Sequence, residues 1–379
     1  MPPLINPYIL NLENNPSSQL KENIMDQISQ DDLKTALTGN VINEQQFASI
    51  LHIAQKRQQA HHTLHGEDEP FAIFLGFSEI FISIGLCILF AGLVGILTLL
   101  DSLVAAGAIV AVLSLGLSHY FIKIRRMVLP SIVSSSALTL SSILCLVPVA
   151  IDLFSQAEGD DPYLATLILP LAPTLCLLVW MYRKYKLPYL TFLIGVTGLG
   201  MILSIAGILS SSQQAVLDFD SLMDLSVNPI VAGSWLLFGL IALGFGLYFD
   251  CRDPYRVGNP SKSAFWLHLL SGPSLLNVIA LNIYYEGDTT SYILTTLLLC
   301  LFVIIALIID RRSFISAGII YMSFVVSWAT KNLGMDADYI SLFVLGLIIT
   351  ALATWWHKWR SALMNALPNF PYKEKLPPY

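Results

Sequence analysis

From Phe71 onward the chain alternates long apolar runs with short polar connections. Ten of these runs, near 72–99, 103–122, 129–153, 163–182, 187–210, 229–249, 264–285, 292–309, 313–330 and 339–356, are long enough to cross a membrane as helices. A helix of about 20 residues spans the roughly 30 Å hydrocarbon layer. The pattern predicts an all-α fold: a polytopic transmembrane helical bundle of about ten spans over 71–356.

Residues 1–70 are patterned differently and read as a small cytosolic helical module with a linker. Leu20, Ile24 and Ile28 recur every four residues after Ser18, which suits a short amphipathic helix. A helical hairpin follows: Ser29 caps a helix bearing Leu33, Ala36 and Leu37, Gly39 stops it, and Asn43 with Gln46 resembles a capping box for Phe47, Ile50, Leu51 and Ala54. At the other end, 357–379 reads as a cytosolic interfacial tail. Trp355, Trp356 and Trp359 beside His357, Lys358 and Arg360 are the mix of aromatics and cations that marks a membrane surface, with anionic lipid as a partner.

The connections set the orientation. Of 20 Lys and Arg, 19 fall on the side shared with both termini, and only Lys331 lies opposite. The other side is acidic, with Asp101, Asp152, Asp224, Asp288 and Asp338 among its residues, and its longest loop carries Val216, Phe219 and Met223 at helical spacing, as a segment lying on the surface would. The positive-inside rule then places both termini in the cytoplasm. Composition agrees with a bilayer partner: 55% of residues are hydrophobic and 12% charged, against roughly 25% charged in soluble domains. No basic leader with a short apolar core precedes Phe71, so the N-terminus is expected to be retained. Nothing in the charge balance of -6 suggests a nucleic acid partner.

Candidate chemistry is sparse. HExxH, G-x-S-x-G, a phosphate-binding glycine loop and paired Cys motifs are all missing, which argues against an enzyme. His61 and His65 share a helix face, but a hydrated linker explains them as well as a metal does, and no metal or cofactor is expected. Embedded polar groups remain. Glu79 either carries a proton within the first span or sits at the headgroups. In the seventh span His268, Ser271 and Asn282 fall on roughly one face, and Pro273 should bend the helix and free the Leu269 carbonyl. His268 either lines a pocket there or hydrogen-bonds a neighbouring helix. Glu79, His268, Ser271 and Asn282 form the candidate polar site. In the loop before them Asp250, Arg252, Asp253 and Arg256 either pair among themselves or gate a cytosolic entrance. Two turns, FIKIRRMVLPSI and WMYRKYKLPYL, look alike, which leaves open a duplicated two-helix unit.

GFSEIFISIG at 76–85, AFWLHLLSGP at 264–273 and the tail WHKWRSALMNALP resemble an uncharacterised family of bacterial polytopic inner-membrane proteins with a short cytosolic N-terminal helical module. Where members read Gly-Phe-Asn-Asp, this chain has Ser78 and Glu79. The resemblance implies a bacterial inner membrane location and the same architecture. Two functions fit: a carrier or channel-like protein for a small solute or ion, proton-coupled through its embedded ionisable groups, or a non-transporting scaffold or sensor whose N-terminal module binds a protein partner.

The threading is testable in a cysteine-free background. Single cysteines at Gly159, Gln213, Gly287 and Gly334 should react with an impermeant thiol reagent added outside, and those at Met127, Tyr185 and Ser261 should not. Two or more opposite results in either set would refute the threading.

Overall fold

A computed structural model of the protein describes Gly39 and residues 77–377, apart from 100–101, 155–161, 211–221, 254–255, 257, 285–287, 317, 333–337, 369, 372 and 374–375. The expected N-terminal module, its linker, and the surface segment at Val216 and Phe219 lie outside the described residues. By its contacts the chain divides into Met1–Glu67 and Asp68–Tyr379, and the second unit carries all the helices named below.

The helices are α1 (Phe77–Thr98), α2 (Leu103–His119), α3 (Val128–Phe154), α4 (Pro162–Tyr185), α5 (Tyr189–Ser210), α6 (Pro229–Arg252), α7 (Asn259–Tyr284), α8 (Thr289–Ile309), α9 (Gly318–Asn332), α10 (Asp338–Thr354) and α11 (Trp356–Ala366). A π-helical turn, Tyr120–Arg125, extends α2, and a 3-10 turn, Arg312–Ile315, links α8 to α9. Among the described residues there is no strand.

Among the described residues eight helices, α1 to α8, are long and apolar enough to cross a membrane, as a multi-pass membrane protein requires. The last two expected spans differ. Residues 313–330 divide into the 3-10 turn and α9, whose 15 residues reach about 22 Å at 1.5 Å per residue, less than the hydrocarbon layer. Helix α10 has 17 residues and meets α11 at a bend of 63°; counted as one span, the bent pair brings the total to nine.

Helix ends follow the chemistry of each side. On the acidic side Ser102, Asn228 and Asp288 cap α2, α6 and α8, accepting from the N–H groups of Ala105 (3.3 Å), Val231 (3.4 Å) and Ser291 (2.7 Å). On the basic side the chain turns through left-handed residues that are charged rather than glycine: Arg126, Lys186, Arg256 and Asp310, with φ between 52° and 56°. Within α3, Ser134, Ser135, Ser136, Thr139 and Ser141 donate to carbonyls three or four residues earlier, so a serine-rich helix satisfies its own hydroxyls. It packs closely on α2, where a Cβ on Gly107 would come 2.6 Å from the Cys145 nitrogen.

Helix α7 is the most enclosed span and packs on α5, α6, α8 and the 3-10 turn. It runs unbroken through Pro273, and the Ser271 and Ser274 hydroxyls donate to the carbonyls of His268 (3.3 Å) and Leu270 (2.7 Å). The α6–α7 contact is the most extensive in the bundle. Large apolar side chains such as Phe81 and Ile88 on α1 and Leu342, Phe343 and Leu347 on α10 face outward, as lipid contact favours.

Gly272 lies against the 3-10 turn so closely that an added Cβ would stand 2.1 Å from the Phe314 carbonyl oxygen. Backbone cannot yield as a flexible side chain would. Gly272→Ala should destabilise the protein by about 1–3 kcal/mol, the usual cost of overpacking, whereas Gly85→Ala, with open space around it, should change stability by less than about 0.5 kcal/mol. Thermal unfolding in detergent compares them, and equal stabilities would show that the turn does not sit on α7 as described.

Candidate functional site

Three polypeptide ends converge at the basic end of α7. Helix α6 finishes there and supplies Asp250, two residues before its end; α7 begins there and supplies Ser261 and His268; the turn after α8 supplies Arg311. The Asp250 carboxylate accepts from His268 Nε2 at 2.8 Å and from Arg311 Nε at 3.2 Å, and its other oxygen pairs with Arg311 Nη2. Nη2 also donates to the Ser261 carbonyl at 3.0 Å and hydroxyl at 2.9 Å. The burial is extreme for charged groups, with His268 and Arg311 at 0% exposure and Asp250 at 2%.

Small residues make this contact possible. A Cβ on Gly246, one turn before Asp250, would fall 2.8 Å from His268 Cε1, so glycine forms the slot in which the imidazole lies. Phe314 meets the imidazole edge-on with ring centres 6.4 Å apart and stacks on Phe302, so one wall is apolar.

The hydrogen bonds fix the donor. An ionised carboxylate can only accept, so His268 Nε2 carries a proton, and a second proton would have to go to Nδ1. Among the described residues neither His268 Nδ1 nor Arg311 Nη1 has a hydrogen-bond partner, although both are buried. With Nε2 protonated, the bare Nδ1 is an acceptor and the Nη1 N–H groups are donors, so one of each is left over beside the ion pair.

Asp310, next in the chain to Arg311, organises a second cluster. Its carboxylate meets Arg256 Nη1 at 3.1 Å, Arg360 Nε at 3.5 Å and the Trp356 indole nitrogen at 2.8 Å. The same arginines cover carbonyls left open at the end of α8: Arg256 Nη2 donates to Ile309 O (3.3 Å) and Arg360 Nε to Leu307 O (3.2 Å). Burial pushes the Asp310 carboxyl up, but the Arg256 and Arg360 guanidiniums, with the Trp356 indole and His357, outweigh it and hold it below the usual carboxylate range. Arg360 Nη2 also donates to Pro377 O (2.6 Å), and Lys373 Nζ to Met364 O and Leu367 O. Helix α11 is therefore clamped to the bundle through buried Trp356, Arg360 and Met364, while Trp355 and Trp359 remain exposed.

The candidate polar residues lie in separate places. Glu79 is 4% exposed and accepts from the backbone N–H groups of Val128 and Leu129, both at 3.2 Å, so it caps the start of α3. Helix α1 packs on α2 and α3, while α7 packs on α5, α6 and α8. Asn282 is 14 residues beyond His268, about 21 Å along the helix, and holds Leu225 N and Met223 O at the acidic end. Only Ser271 stays beside His268. Of the candidate gate, Asp250 joins His268, Arg256 reaches Asp310, Arg252 lies over the Tyr248 ring at 4.4 Å, and Asp253 accepts from Gly258 N at 2.7 Å, closing the loop. Sequence reasoning missed Arg311, Asp310 and Arg360. The signal was the charged run Asp310–Arg312 at the end of an apolar span, which was read for orientation alone. Because Ser261 is fully buried on Arg311, a cysteine there would disturb the cluster, and Met127 and Tyr185 are the better topology reporters.

Removing one member of a buried pair strands the other's charge, typically at about 3–5 kcal/mol. Asp250→Asn should show such a loss in thermal unfolding, and Asp250→Asn/Arg311→Met should lose less than the two single changes added, with a coupling of about 1–3 kcal/mol. Strictly additive losses would show that the contact contributes no coupling.

Set against family models, curated proteins and solved structures, the chain matches none of them, so its architecture and its buried clusters carry the functional reading.

Proposed function

We propose that this is a bacterial inner-membrane protein, threaded with both termini in the cytoplasm, that acts as a carrier or channel-like protein for a small solute or ion, with Asp250, His268 and Arg311 as its proton-responsive element. Supporting the threading is the placement of 19 of 20 basic residues on one side of the predicted spans. The observation that carries the functional reading is an ionisable triad with 0–2% exposure, gathered where α6, α7 and the turn after α8 meet, two of whose nitrogens have no hydrogen-bond partner among the described residues.

Charged groups at such positions are costly and tend to mark ion or proton pathways. Asp250 and Arg311 together are neutral, so the charge of the cluster rests on the imidazole bonded to the same carboxylate. The groups facing His268 are Asp250 from α6, Arg311 from the turn after α8, and Ser271 of its own helix through the His268 carbonyl. Protonation at Nδ1 strengthens the hold on Asp250 and competes with Arg311 for it. Because Arg311 is rooted in the same turn as Asp310, that competition acts on the junction of α6, α7 and α8. The resemblance to uncharacterised bacterial inner-membrane proteins supports the location and says nothing of a substrate.

The test is solute-dependent proton movement in proteoliposomes carrying an internal pH dye, over a broad solute panel. The wild type should acidify or alkalinise the lumen with at least one solute, and His268→Gln, present in equal amount, should abolish it. A wild type that moves protons with no solute, or a His268→Gln variant equal to wild type, would overturn the proposal.

A further inference from the structure

A cavity of about 410 Å³ opens at the basic end of the bundle, between the turn after α2, the turn after α4 and the start of α7. Small-molecule sites commonly occupy about 300–1,000 Å³. Each of the three segments contributes one cation to the lining: Arg126, Lys186 and Lys262. Among the described residues the lining holds no carboxylate, in contrast to the two clusters described above, where aspartates pair with the arginines. Glu79 lies outside the lining and accepts through one carboxylate oxygen, Oε2, from the N–H groups of the lining residue Val128 and of Leu129.

The rest of the wall is mainly apolar and includes four aromatic residues, Tyr185, Tyr189, Phe265 and Trp266. Trp266 packs edge-on to Tyr189 with ring centres 4.9 Å apart, and the Tyr189 hydroxyl is fixed by Ser136 at 2.8 Å. Asn259, also in the lining, ties the segments together by donating to the Lys186 carbonyl at 3.5 Å. Arg126 and Lys186 both adopt left-handed backbone, with φ of 53° and 52°.

We infer that this cavity is a binding site for a phosphate group carried on an apolar or glycerol-like body. Three cations without an internal counter-charge exceed what a single carboxylate needs and match a phosphate, which both Lys and Arg recognise. The aromatic wall offers surface to the attached body. A lipid headgroup and a soluble organic phosphate present the same chemistry, and the site binds either whether or not the bundle moves a solute.

The experiment is calorimetric titration of the full chain in maltoside micelles with dihexanoyl phosphatidic acid, glycerol 3-phosphate and dihexanoylglycerol. Dihexanoyl phosphatidic acid should bind, dihexanoylglycerol should not, and added salt should weaken the binding. Arg126→Gln/Lys186→Gln/Lys262→Gln should weaken it at least tenfold, while Arg183→Gln/Lys184→Gln, which removes cations outside the cavity, should stay within twofold. Lys262→Gln alone should weaken binding severalfold, which keeps the test usable if the triple variant fails to fold. Comparable binding of glycerol 3-phosphate would identify a soluble phosphate as the natural source, and binding of phosphatidic acid alone a lipid headgroup. Equal binding of dihexanoylglycerol, or unchanged binding by the Lys262→Gln and triple variants, would overturn the inference.

Discussion

Burying a charge among apolar helices is tolerable only beside its opposite, and in this protein the contact of Asp250 with Arg311 meets that condition across 61 residues of sequence. It joins the end of α6 to the turn after α8, with α7 held between them. Much of the local geometry depends on it. Gly246 leaves room for the imidazole that shares the carboxylate, Gly272 lets the turn approach α7, and Ser261 takes two further bonds from Arg311 Nη2. A larger residue at either glycine would separate the very groups whose charges must stay in contact.

The turn Asp310–Arg311 connects two tasks that are usually separate. Arg311 faces into the bundle toward α6 and α7, while Asp310 faces Arg256 and the clamped α11. The left-handed backbone at Asp310 sends successive side chains of opposite charge to different partners. The buried triad and the C-terminal tail are thus joined through two adjacent residues of one turn, Arg311 to Asp250 and Asp310 to Arg360, which also holds Pro377.

Much of the architecture could be read from hydropathy because, in lipid, a backbone must satisfy its own hydrogen bonds and a long apolar run has few alternatives to helix. The ends were harder. Residues 313–330 are apolar enough to suggest a span, yet packing of Phe314 against Gly272 and Phe302 draws their start into a 3-10 turn. Asp250 and His268 both stood out as polar groups, but their union was hidden, since they lie on different helices and only the α6–α7 packing brings them together. Glu79 stood open between a proton carrier and a headgroup residue because sequence cannot reveal that the start of α3, 49 residues later, rests on its carboxylate. Trp356 read as an interfacial aromatic, and its burial comes from a partner, Asp310, 46 residues away. Basic residues were legible only as a sum and not one by one, because Arg311 and Arg360 are buried whereas Arg126 and Lys186 are exposed.

The slot at Gly246 carries an evolutionary consequence. The imidazole of His268 fills the space that a side chain at position 246 would need, so the two positions cannot drift independently. A lineage that replaced the glycine with alanine or serine would be driven to a smaller residue at 268, and would then lose the third member of the cluster. Among diverged descendants of this chain, the pairing of glycine with histidine at these positions should therefore be inherited or abandoned as a unit, making it a marker of which of them retain an ionisable centre.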